Sequence, residues 1–109
     1  MKLKHDHKPW LRLEKYKGEF FQGEWPTLVE LFNITASDYP DNACFTAFAP
    51  EVLKFTYAEA QKKILEVSNH LVKQGVKPGS HVAVTGKNSP EWAIAYLAVL
   101  YAGATVIPL

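Results

Sequence analysis

The stretch that most constrains this chain is His81–Leu109, which reads strand, turn, helix, turn, strand. His81-Val82-Ala83-Val84-Thr85 is short and rich in the β-branched residues that suit a pleated, half-buried surface. Asn88 and Ser89 can cap a helix, and Pro90 suits its first turn. From Trp92 to Ala102 every residue is apolar or aromatic, and Gly103 then supplies a left-handed stop. Thr105-Val106-Ile107-Pro108-Leu109 is a second apolar run. Two buried strands joined by a helix are expected to lie parallel, with a right-handed crossover. A helix that is apolar on every side must also be covered on every side. A chain of 109 residues offers little to cover it with.

At this length one domain is expected, burying roughly two-thirds of its unfolded surface. The formal net charge of +1 argues against nucleic-acid binding through a basic surface. Cys44 is the only cysteine, so no intrachain disulfide can form, which fits a reducing compartment. Met1–Lys8 is charged and no apolar run follows it, so the N-terminus does not read as a signal peptide. The uncharged run Trp92–Leu109 could suggest a membrane span. Gly103 ends its helix, which at 1.5 Å per residue is well short of a bilayer core of ~30 Å. A buried crossover helix is the better reading, and no transmembrane segment is expected.

Residues 1–26 read as an irregular arm, first basic and then aromatic, with Trp10, Tyr16, Phe20, Phe21 and Trp25. No period of 2 or 3.6 runs through it, and it is expected to lay its aromatics on the body of the protein. His5-Asp6-His7 is two ligands short of a tetrahedral metal site and reads as a solvated terminus. The first helix is expected over Thr27–Tyr39, opened by the capping-box pair Thr27 and Glu30, with Leu28, Leu31, Phe32 and Thr35 on one face. Pro40-Asp41-Asn42 is a turn. Ala43–Phe48 and Val52–Thr56 then read as an antiparallel hairpin across Pro50-Glu51. Thr56 and Glu59 repeat the capping-box spacing and open a helix that runs to about Gln74. Its stripe is Tyr57, Ala60, Ile64, Val67 and Leu71, widened by Leu65 and Val72, while Lys62, Lys63, Glu66, Asn69 and Lys73 face water. Gly75 ends it, with Val76 placed to fold back on the last turn, and Pro78-Gly79 turns the chain into the strand at His81.

None of the reactive side chains assembles an active site by spacing. Gly86-Lys87-Asn88-Ser89 has the look of a phosphate loop, but His81 stands where its first glycine belongs and Asn88 where its Ser or Thr belongs. Ser89 and Pro90 also replace the later glycines of a dinucleotide fingerprint, and proline deletes an amide that would hold an anion. Cys44 lies mid-strand between apolar neighbours, where a buried, inert thiol is usual. Neither His70 nor His81 has a carboxylate spaced to orient it, and Glu59 and Glu91 are explained as helix-start carboxylates. The aromatics of the arm could stack on bases, but without a basic groove packing explains them better. The expectation is therefore no catalytic, cofactor-binding or metal-binding residue in this chain.

Four segments in order carry a specific resemblance. Lys54-Phe55-Thr56-Tyr57-Ala58-Glu59-Ala60 resembles the first core motif of the adenylate-forming (AMP-binding) enzymes, Leu-Thr/Ser-Tyr-x-Glu-Leu. The segment from Gly75 through Pro78-Gly79-Ser80 to Val84 resembles their Gly-Val-x-x-Gly-Asp-x-Val-Ala link, and Asn88-Ser89-Pro90-Glu91-Trp92 the start of their next helix. Leu100–Leu109 resembles their second motif, Leu-Lys-Ala-Gly-x-x-Tyr/Val-x-Pro-Leu/Ile. Coverage runs from about Thr27 to Leu109, and the flavour is nearest to long-chain fatty acyl-CoA synthetases. Ser80 and Tyr101 replace the usual Asp and Lys, both read as surface changes.

The resemblance implies a two-step ligase, in which ATP with Mg²⁺ and a fatty acid give an acyl-adenylate, and coenzyme A takes the acyl group. It also implies that residues 27–109 are the N-terminal part of a larger domain whose phosphate loop, nucleotide contacts and catalytic lysine lie downstream. The matched motifs are structural in that family, so no site residue carries over and the chain alone is expected to be inactive. The expected fold is α/β, with an antiparallel hairpin, a parallel βαβ unit and helices packed on the sheet. Expected partners are the remainder of the parent chain, or a second copy through the Ala104–Leu109 edge, in a cytoplasmic setting with the parent peripheral to a membrane. Two other readings stand beside this one: a free-standing small α/β binding module, and a piece of another adenylate-forming enzyme such as a peptide-synthetase adenylation domain.

Overall fold

The computed structural model describes residues 9–18 and 25–109. After a 3-10 segment, Pro9–Tyr16, come α1 (Leu28–Asp38), β1 (Ala43–Ala47), β2 (Leu53–Thr56), α2 (Tyr57–Lys73), β3 (His81–Val84), α3 (Pro90–Tyr101) and β4 (Thr105–Pro108). The described part of the arm is thus partly helical rather than irregular. The His5–His7 pair, Phe20 and Phe21 lie outside the described residues.

Local chemistry sets the element ends. Thr27 and Glu30 form the expected capping box on α1, with Thr27 N–H donating to Glu30 at 2.8 Å and Glu30 N–H to the Thr27 hydroxyl at 3.3 Å. Thr56 and Glu59 do the same for α2 at 2.9 and 3.1 Å. The two remaining free amides of that first turn, Tyr57 and Ala58, donate to the carbonyls of Asn42 and Pro40 at 3.0 Å each. The turn before β1 therefore closes the start of α2 completely. Both α2 and α3 end in the same way. Gly75 takes φ +102°, and Val76 N–H donates back to the Leu71 carbonyl; Gly103 takes φ +79°, and Ala104 N–H donates to Val99. A glycine in the left-handed region followed by this backward bond is a Schellman stop.

The strands form two separate two-stranded sheets, β1–β2 antiparallel and β3–β4 parallel, as the hairpin and the βαβ pattern require. β3 and β4 pair from His81 with Thr105 to Val84 with Pro108. The hairpin register slips between Ala43 and Phe45, so Cys44 is the extra residue of a bulge.

The core lies where α2 crosses α3. Ile64, Ile94 and Ala98 form one buried cluster; Val84, Val99 and Ala104 form a second beneath the parallel sheet. Leu71 packs against both. Three expectations change. Leu65 and Val72 remain exposed on α2, so its buried stripe is narrower, and Ser68 is buried within it. In α1 the buried residues are Ile34 and Ala36, whereas Leu28 is exposed. The parallel strands are buried on one face only: Val82, Val84 and Val106 pack inward, while His81, Ala83, Thr105 and Ile107 stay exposed because no layer among the described residues covers that side.

The feature expected to be hardest to accommodate, α3, is better covered than its composition suggests. Glu91 is its only exposed residue; the others are buried or half-buried. The assembly is still open: its Cα radius of gyration is 16.0 Å, against ~13 Å for a compact domain of this length. No helix among the described residues is long and apolar enough to cross a membrane.

Candidate functional site

The position where an open α/β unit offers a ligand crevice is the carboxyl end of its strands. Here that is the turn from β3 into α3, whose sequence is unsuited to phosphate. Gly86 turns at φ +135°, and Ser89 caps α3, its hydroxyl accepting from Trp92 N–H at 3.1 Å. Pro90 occupies the first helical position and has no amide. Of the first-turn donors the Ser89 and Glu91 N–H groups are left, beside a carboxylate that repels an anion. With one amide deleted, one spent on the cap and a carboxylate beside the rest, the α3 N-terminus makes a poor anion cradle.

Two clefts run between this turn and the hairpin. One, of about 560 Å³, is lined by the hairpin loop from Ala47 to Leu53 and by Lys87–Glu91. The other, of about 360 Å³, is lined by β1 residues Cys44–Ala47 and by Asn88, Ser89 and Pro90. Asn88, Ser89 and Pro90 line both, so the two form one groove. Phe48 and Val52, at the hairpin tip, are 78% and 69% exposed. The charged lining is Glu51, Lys87 and Glu91, and no ion pair joins them among the described residues.

The groove lacks a nucleophile. Cys44 is half-buried, and burial pushes its thiol up to about 11. At neutral pH it stays protonated, the inert state expected from its apolar neighbours. His70 and His81 are exposed, on α2 and on the other sheet. Glu59 is spent on its cap, where the backbone amide and hydroxyl of Thr56 lower its pKa. Among the described residues no three His, Cys, Asp or Glu come together as a metal site.

Sequence reasoning missed two arrangements. The residue at the lysine position of the second motif, Tyr101, is half-buried rather than on the surface. Its hydroxyl donates to Asn33 Oδ1, which also accepts from Gln61 Nε2 at 2.9 Å, and its ring meets Phe32 edge-on at 6.5 Å. Asn33 thus ties α1, α2 and α3 together, and burial raises the pKa of Tyr101. Ser80, at the aspartate position of the link, is also half-buried. Its hydroxyl accepts from Lys77 N–H at 3.1 Å, and its carbonyl accepts from Thr105 N–H at 2.8 Å, which joins the Pro78-Gly79 turn to β4. The departure from lysine at 101 was the available signal; the partners, 68 residues away in the case of Asn33, were not.

A family described as AMP-binding enzyme matches residues 32–109. The chain is 33% identical over 102 residues to one of the linear gramicidin synthase proteins of Brevibacillus parabrevis, covering 81% of this chain and 1% of that protein. It is 36% identical over 64 residues to a methyl-dioxo-octahydroindenyl-propanoyl:CoA ligase of Rhodococcus jostii, covering 59% of this chain and 12% of that one. The crystal structure of a fatty acid AMP ligase from Legionella pneumophila superposes with a TM-score of 0.71 at 25% identity, over 76% of this chain and 15% of the ligase. The chain thus spans a small part of the length of each protein it resembles.

Proposed function

The chain belongs to the AMP-binding enzyme family, and from that premise we propose that it serves as the N-terminal segment of an ATP-dependent acyl-CoA synthetase. The reaction would join a fatty acid, ATP and coenzyme A to give acyl-CoA, AMP and pyrophosphate. ATP, Mg²⁺ and coenzyme A would be held by residues outside these 109. The observation that carries this reading is where the two family motifs fall. Thr56 and Glu59 of the first cap α2, and Gly103 of the second ends α3, so together they fix the helix pair that forms the core. They build a scaffold and touch no reactive group. The choice of acyl-CoA chemistry rests on the CoA ligase and fatty acid AMP ligase likenesses.

A peptide-synthetase adenylation domain is the second reading, and the longest of these alignments, to the gramicidin synthase protein, favours it. One experiment separates the two. The reading frame is expressed with any residues encoded beyond Leu109 and given ATP, Mg²⁺, coenzyme A and a panel of long-chain fatty acids and amino acids. Acyl-CoA formed from a fatty acid is the expected result. Amino-acid-dependent pyrophosphate exchange without a CoA thioester would establish the second reading instead. The 109-residue chain by itself is expected to release no pyrophosphate, and turnover from it would overturn the scaffold role.

A further inference from the structure

We propose that the outer edge of β3, from His81 to Ala83, pairs antiparallel with the same edge of a second copy of this chain. The reason lies in where the backbone groups of the parallel sheet point. Thr105 N–H donates to the Ser80 carbonyl at 2.8 Å, and Leu109 N–H to the Val84 carbonyl at 3.0 Å. With His81 beside Thr105 and Val84 beside Pro108, the alternation of a parallel ladder fixes the rest. The backbone of Ser80, Val82 and Val84 turns toward β4, and that of Thr105, Ile107 and Leu109 toward β3. The groups left pointing away from the sheet belong to His81 and Ala83 on one edge and to Val106 and Pro108 on the other. The Ala104–Leu109 edge is the one expected from sequence to pair with a second copy. Pro108 has no N–H, however, so within β4 only Val106 N–H is offered outward, and an edge proline works against strand addition. The β3 edge is intact. His81 and Ala83 are exposed, and among the described residues nothing bonds to their N–H or C=O groups.

These outward groups complement themselves. About a two-fold axis through Val82, His81 of one copy lies opposite Ala83 of the other, and each such pair exchanges both N–H···O=C bonds. Across the new seam a histidine side chain meets an alanine, so no like charges face each other. A parallel pair of strands is also too small a sheet to stand alone, since parallel strands belong to larger, covered sheets. Pairing through β3 gives one continuous sheet in the order β4–β3–β3–β4. Both of its outer edges are then the proline-blunted β4, so addition stops at two copies. Pairing through β4 would leave two open β3 edges instead, and growth would continue. No substrate or nucleotide enters this pairing, so it stands apart from the acyl-CoA synthetase reading.

The test is sedimentation of the 109-residue chain from micromolar to millimolar concentration, with amide hydrogen exchange followed by NMR. A dimer is expected. The His81 and Ala83 amides should gain protection as concentration rises, while the Val106 amide keeps its rate. Ala83→Pro removes an outward donor and no bond to β4, and proline is tolerated at such an edge position. It deletes half of the new bonds and should weaken the dimer roughly 30-fold, with circular dichroism unchanged. Should Ala83→Pro not fold, the exchange pattern of the unaltered chain decides alone. Three results would overturn the proposal. The first is a monomer throughout that range. The second is a dimer that protects Val106 and leaves His81 and Ala83 exchanging, which would put the seam on β4. The third is a dimer that a folded Ala83→Pro leaves at full strength. That outcome would follow if copies met through Trp10 and Trp25, which are 52% and 39% exposed because the arm lays its aromatics on the protein body only in part.

Discussion

Helices α2 and α3 meet across the core and are built on opposite rules. α2 carries a narrow apolar stripe, with Lys62, Lys63, Glu66, Asn69 and Lys73 in water and Ala60 and Ile64 fully buried. Its orientation follows from its own periodicity. α3 is apolar almost all round, so no face of it is preferred by composition. Yet it buries Pro90, Ile94, Ala98 and Val99 and leaves its other apolar side chains half-covered. The neighbours choose its facing: α2 on one side, the β3–β4 sheet on another, and Tyr101 reaching α1. The difference teaches that an amphipathic helix brings its orientation with it, while a uniformly apolar helix receives one from what packs against it.

The largest expected effect tests the stripe of α2. Ile64→Ala should cost about 3 kcal/mol, since a fully buried isoleucine leaves a cavity. Leu65→Ala, one position along and 44% exposed, should change stability by less than about 0.5 kcal/mol. Urea midpoints with an unchanged slope would measure both. Equal losses would mean that the stripe is not what orients α2.

Next comes the α3 side of the same contact. Ala98 is fully buried in the cluster with Ile64 and Ile94. Ala98→Leu should therefore overpack the crossing and cost about 2 kcal/mol. A neutral or stabilising result would show that the helices can slide apart, and that α3 has no fixed facing.

A smaller effect is expected at the tie between α3 and α1. Tyr101→Phe keeps the edge-on contact with Phe32 but removes the bond to Asn33, at a cost of about 1 kcal/mol. Tyr101→Lys, which restores the residue usual in the motif, should cost more, because the aromatic contact is lost as well. If lysine is tolerated as well as tyrosine, the network is incidental to how α3 is held.

The smallest effect is electrostatic and belongs to α2 alone. Glu59 has a folded pKa below its ordinary value, because Thr56 hydrogen-bonds its ionised form. Its contribution is present above the ordinary carboxylate range and fades as pH falls through the depressed folded value. Glu59→Gln should therefore melt below the wild type at neutral pH, with the gap narrowing on acidification. A gap independent of pH would show that the charge is not what the cap uses.

The fold was largely legible because its signals are short. Each capping box, each glycine stop and the hairpin turn lie within a few residues, and the boxes and stops each set a local hydrogen bond. The candidate groove was not legible. Ala47–Leu53 and Lys87–Glu91 are far apart in the chain, and the lining side chains repeat no recognisable spacing. The bulge at Cys44 was hidden for a related reason, since one extra residue in a strand leaves its alternating pattern nearly intact.

Sequence by itself determined the order of elements, where each helix starts and stops, and which strands pair antiparallel or parallel. Those depend on caps, left-handed glycines and connection length, all written within one or two turns of chain. Only the tertiary structure decided which side of α3 is buried, that Tyr101 binds Asn33 rather than facing water, and that Trp10 and Trp25 stay at the surface. Those depend on surfaces meeting across tens of residues, where many pairings satisfy the same apolar composition and only packing selects among them.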